Sequence, residues 1–80
     1  MFIEVYAIPI SDYNKDTGDA VRPENRRLVE MTGARIRTSV KFDDRAEIVL
    51  SNNEILLAAG SYDDLVGRLL KVQAGQIARA

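Results

Sequence analysis

The sequence predicts an α+β domain, a small antiparallel β-meander of four or five strands, forming a small sheet or partial barrel, packed by one C-terminal α-helix. Three observations predict it. Apolar and polar residues alternate from Arg35 to Lys41 with the period of a half-buried strand. Two apolar runs flank Asn52-Asn53, a pair that tolerates the positive φ of a hairpin turn. From Tyr62 onward the period changes to that of a helix, with a capping residue just before it.

Taken in order, residues Phe2 to Ile10 are rich in β-branched and aromatic types and meet Pro9, which cannot donate to a ladder, so the first strand stops there. Residues 11–24 are dominated by turn-forming Ser, Asp, Asn, Gly and Pro and read as one long polar loop. Loops of that length in compact domains are usually mobile or used for binding. Arg26 to Glu30 reads as a short strand with Leu28 facing inward, followed by a turn over Met31 to Ala34 around Gly33. In the alternating strand, Ile36, Thr38, Val40 and Phe42 share the inward face, and Arg35, Arg37, Ser39 and Lys41 share a cationic outward one. Asp43-Asp44 makes a turn, Arg45 to Leu50 a strand with Ala46, Ile48 and Leu50 inward, Asn52-Asn53 a two-residue hairpin turn, and Glu54 to Ala59 the returning strand.

Ser61 is expected to cap the helix, with Asp63 and Asp64 in its first turn, where carboxylates complement the exposed amides and the helix dipole. Tyr62, Leu65, Val66, Leu69 and Leu70 form one apolar stripe, and Arg68 and Lys71 lie toward the end that favours cations. Gly67, a costly residue inside a helix, implies close approach to another backbone. Residues 73–80 are expected to fray or to extend the helix past Gly75. The 80 residues make one domain.

Composition narrows function mainly by exclusion. The chain is 46% apolar and 29% charged, as a folded globular protein is. Eleven basic residues against twelve acidic ones leave a net charge of -1, so nothing draws the whole chain toward nucleic acid or an anionic membrane. There is no histidine and no cysteine, so the usual bases, thiol nucleophiles and soft metal ligands are missing, and we expect neither an enzyme nor a cofactor. With no disulfide to staple a small core, a partner subunit is the expected support, and a homodimer the expected state. No apolar run approaches the length of a membrane span and no basic, apolar leader opens the chain, so a cytoplasmic location without membrane contact is expected.

The candidate partner-binding residues come from two places. Asp12, Tyr13 and Asp16 lie in the long loop, where Asp12, Asn14 and Asp16 alternate like the first ligands of a calcium loop. That motif breaks at Thr17 and Pro23, where glycine and a bidentate glutamate are needed, so a solvated turn is the preferred reading. Arg22, Arg35, Arg37 and Lys41 belong to the regional excess of cations in the middle third of the chain. A basic strand face can follow a phosphate backbone, but single-strand readers interleave aromatic platforms and here only Ser39 lies between the arginines. A protein partner therefore ranks ahead of nucleic acid. The adjacent carboxylates Asp43-Asp44 and Asp63-Asp64 read as turn and helix-start residues.

Three segments resemble the FlbD-type small proteins, a family associated with flagella or swarming motility and resembled by short phage and mobile-element proteins. They are the Leu28-Val29 strand, the strand, polar turn and strand of Ala46 to Glu54, and the closing helix of Ser61 to Leu69 with its serine, aromatic residue and two acids. The chain departs from the pattern in having Asn53 where a turn glycine is common and in the inserted loop. The resemblance implies the β-meander with a helix and a non-enzymatic regulatory or assembly role, with no catalytic residue to carry over. A phage-encoded inhibitor of a host system is a third role compatible with the small size.

Overall fold

The computed structural model describes residues 1–12, 25–40 and 45–73. They form five strands, β1 (Phe2–Pro9), β2 (Arg26–Glu30), β3 (Arg35–Thr38), β4 (Arg45–Val49) and β5 (Ile55–Ser61), a 3-10 turn at Ile10–Asp12, and one helix, α1 (Tyr62–Gln73). The strands make one antiparallel open sheet in the order β2-β1-β5-β4-β3. The expected meander is β3-β4-β5. β1 lies inside the sheet, where Phe2 to Tyr6 pair with β2 and Ala7 to Pro9 pair with β5.

One face of this sheet carries the main core. Ile3, Val5 and Ala7 of β1, Val29 and Met31, Ala46 and Ile48 of β4, and Leu56 and Ala58 of β5 pack together with Leu65 of α1. Ala34, Ile36, Leu50, Leu69 and Val72 are partly buried against them. Cross-strand registers explain the selection, since Ile3 opposes Val29 and Ile48 opposes both Ile36 and Leu56. A second buried row, Ile8, Val49, Leu57 and the carboxylate residue Glu47, lies on the opposite face of the sheet.

Four expectations about strand phase, strand length, the hairpin and the helix stripe are corrected. Leu28 faces outward and is 64% exposed, while Val29 is buried, because one phase of β2 carries Val29 and Met31 and the other sets Leu28 between Arg26 and Glu30. Burying two apolar side chains instead of one decides the phase. β3 ends at Thr38, which is exposed, and Val40 is 93% exposed. Only Ile36 of this edge strand packs on the core, and Ser39, expected outside, is buried. Phe42, the Asp43-Asp44 turn, most of the long loop and the chain after Gln73 lie outside the described residues. The hairpin turn has three residues: Leu50 donates to Glu54 O at 2.8 Å, and Leu50 O accepts from Asn53 N–H at 2.9 Å. Asn53 takes φ 69°, the left-handed position of such a loop, and Asn52 Oδ1 accepts from Glu54 N–H. Finally, Tyr62 and Leu70 are exposed, and the stripe that packs is Leu65, Leu69 and Val72.

The helix start forms as expected. Asp64 N–H donates to Ser61 Oγ and Ser61 N–H to Asp64 Oδ2, both at 3.2 Å, a reciprocal capping box with aspartate in the acidic position. Gly60, at φ 103°, turns the end of β5 into this cap, and it lies within the irregularity in β4–β5 pairing, between Leu57 and Ser61. Gly67 has open space around it, with nothing within 4 Å of where a Cβ would lie, so it provides no close approach. Gly67→Ala should therefore raise stability by about 0.5–1 kcal/mol through helix propensity, a gain that thermal unfolding would read as a Tm increase of about 2–8 °C.

Candidate protein interface

Of the residues singled out in the sequence, Tyr13, Asp16, Arg22 and Lys41 lie outside the described residues. Asp12 is exposed at the end of the 3-10 turn, which packs near β5, two strands from β3 in the sheet order. Arg35 and Arg37 share the outer face of β3, as the alternation requires. Arg37 does not stand there as a solvated cation. Its Nε donates to Glu47 Oε1 at 2.7 Å across the β3–β4 pair. The Glu47 side chain is only 8% exposed.

Burial pushes the Glu47 carboxyl up, but the Ser39 hydroxyl, the Arg37 hydrogen bond and the Arg37 charge together take it below the ordinary carboxylate value. Ser39 is itself buried. Its backbone N–H donates to Arg45 O at 2.7 Å, which holds the end of β3 against the start of β4. The half of the cationic face that the structure describes is thus partly an ion pair that secures an edge strand.

Sequence reasoning missed a second surface at the other edge of the sheet. β2 is the terminal strand there and pairs, among the described residues, only with β1. Its outer face carries Arg26, Leu28 and Glu30, and the adjoining β1 residue Phe2 is 52% exposed and Met1 44%. Next to β2 lies an open cleft of about 360 Å³ between that strand and the β4–β5 hairpin, lined by Leu28, Glu30, Thr32, Ser51, Asn52 and Leu56 among others. The signal the sequence holds is Leu28 set between Arg26 and Glu30 at strand period, which places a leucine on a charged face once Val29 and Met31 take the core.

Glu30 is the best-organised charge on this surface. Both its carboxylate oxygens accept from the Met1 ammonium, at 3.0 and 3.1 Å, and Oε1 also accepts from the Thr32 N–H at 2.7 Å and from the Thr32 hydroxyl. The Thr32 hydroxyl, then the Thr32 amide and the ammonium, lower its carboxyl to about 2. Glu30 therefore stays anionic through the physiological range. Among the described residues no helix is long and apolar enough to cross a membrane, and no three His, Cys, Asp or Glu side chains gather where they could hold a metal ion.

No family model, curated protein or solved structure matches this chain.

Proposed function

We propose that this chain is a non-enzymatic binding module that works by protein–protein contact, with the β2 edge as its contact surface. One observation carries the reading: Leu28 is 64% exposed at the centre of an edge strand, with Phe2 exposed on the neighbouring strand and an open cleft alongside. Apolar side chains beside main-chain groups that no other described strand pairs suit a partner that adds backbone hydrogen bonds and buries those side chains together. The resemblance to FlbD-type proteins points to the same class of role, a regulatory or assembly part in the cytoplasm.

A photoreactive side chain at position 28, compared with one at exposed position 71 on α1, tests this in extract of the source organism. Position 28 should give a discrete protein adduct that position 71 does not. No adduct at 28, or the same adducts from both positions, would refute the reading.

A further inference from the structure

The main-chain hydrogen bond from Met31 N–H to Met1 O at 2.7 Å fixes the phase of the β1–β2 ladder. In an antiparallel pair, residues that exchange hydrogen bonds alternate with residues that do not. Met31 opposite Met1 is a bonded position, so Val29 opposite Ile3 and Arg27 opposite Val5 are bonded positions too. The N–H and C=O groups of Arg26, Leu28 and Glu30 consequently point away from β1, toward the edge where no described strand pairs with β2. The side chains of the same three residues all lie on the outer face of the sheet, since Val29 and Met31 occupy the core face.

This order, cation, leucine, anion, is complementary to itself when reversed. We infer that two copies of this chain pair antiparallel through their β2 edges, related by a two-fold axis at Leu28. In that register Leu28 faces Leu28 of the second copy, and Arg26 of each copy faces Glu30 of the other. Roughly six main-chain hydrogen bonds form, two at each of the three outward-pointing positions. The inference rests on the protein-contact reading above and names the partner.

Charged residues on an edge strand usually guard against pairing, but here their order makes one register favourable. The other edge offers no such register. β3 presents Arg35 and Arg37 on one face, so its self-pairing would crowd cations together. Glu30 is held anionic by Thr32 and the Met1 ammonium, and it accepts only one hydrogen bond at Oε2, which leaves that oxygen open to an arginine.

Sedimentation equilibrium of the intact chain tests the inference. Pairing through five-residue strands is a small interface, so a reversible dimer is expected at concentrations on the order of 100 µM. Arg26→Glu places two carboxylates opposite each other twice, and Glu30→Arg does the same with cations. Each should raise the dissociation constant about tenfold or more. Mixing the Arg26→Glu chain with the Glu30→Arg chain should restore a dimer containing one of each, because both cross-strand pairs are then opposite in charge. Leu28→Pro, which removes an outward N–H without touching the ladder to β1, should give a monomer with unchanged circular dichroism.

A wild-type chain that stays monomeric up to about 1 mM would overturn the inference, as would a dimer indifferent to both charge reversals, or reversed chains that fail to associate when mixed. A monomeric chain whose position-28 crosslinker captures a different protein would overturn the pairing and leave the protein-contact reading standing. Failure of both experiments would remove both.

Discussion

Leu65→Ala is expected to lower stability by about 3 kcal/mol, within the usual range for emptying a fully buried leucine site, while Leu70→Ala changes it by no more than about 0.5 kcal/mol. The two residues belong to one apolar stripe in the sequence, but the structure separates them. Leu65 is 0% exposed and is the one buried residue of α1, inserted among the helix-facing side chains of the sheet, whereas Leu70 is 58% exposed. Around Leu65 the helix is held by partly buried Leu69 and Val72 and by Arg68 Nη1, which donates to Glu4 O at 3.4 Å. None of these fills the space that Leu65 leaves. A chain of 80 residues has a total stability on the order of 4–12 kcal/mol at ordinary per-residue values, so the loss is a large share of it. Urea unfolding followed by circular dichroism would show a lower midpoint at unchanged slope, and thermal unfolding a Tm lower by roughly 12–24 °C. Equal effects at positions 65 and 70 would mean that α1 packs with a different face.

These two leucines also mark the boundary of what the sequence made legible. Features set by nearby residues were readable: the Ser61–Asp64 cap depends on groups three positions apart, and Pro9 ends β1 by its own chemistry. The α+β class and the β3-β4-β5 meander followed from period and turn chemistry. Features set by distant partners were not readable. Whether Leu28 or Val29 faces the core depends on β1, more than twenty residues away in the chain, and on Met31 extending one of the two phases. The position of the hairpin tip was legible, but its length follows from the pairing of Leu50 with Glu54, which leaves three residues in the turn where local chemistry suggests two. Tyr62 and Leu70 sit at the margins of a stripe whose centre is set by where the sheet lies. The same limit held for the candidate interface. Alternation placed Arg35 and Arg37 on one face, but the carboxylate that engages Arg37 comes from the next strand. The β2 edge had no signature beyond an apolar Leu28 between charged neighbours, because strand order, not local pattern, makes a strand an edge.

Arg37→Ala should cost about 1–3 kcal/mol at neutral pH, and the cost should shrink in acid. Glu47 is the reason. Its carboxylate is nearly out of solvent, and burial raises its pKa, so the anion persists because the Arg37 guanidinium and the Ser39 hydroxyl outweigh the effect of burial. Removing Arg37 leaves a buried carboxylate with too few partners, which ordinarily costs several kcal/mol when both groups are enclosed. Arg37 is about half exposed, so water partly replaces it and the smaller range applies.

The pH dependence follows from the direction of each shift. In the intact protein Glu47 has a folded pKa below its unfolded value, so its contribution to stability is present above the unfolded pKa and is lost as pH falls through the folded one. In the Arg37→Ala chain, burial would no longer be outweighed and the folded pKa would rise above the unfolded value. Protonation then relieves the unpaired charge, so the variant gains relative stability as the medium becomes acidic. The two unfolding curves, measured by denaturant titration between about pH 7 and pH 3, should converge toward low pH. Glu47→Gln should be less damaging than Arg37→Ala at pH 7, since it removes the buried charge and keeps a polar group beside Ser39. Parallel curves, with a constant gap between intact and Arg37→Ala protein at every pH, would mean that Arg37 acts through packing of its aliphatic stem on β3 and not through its charge on Glu47.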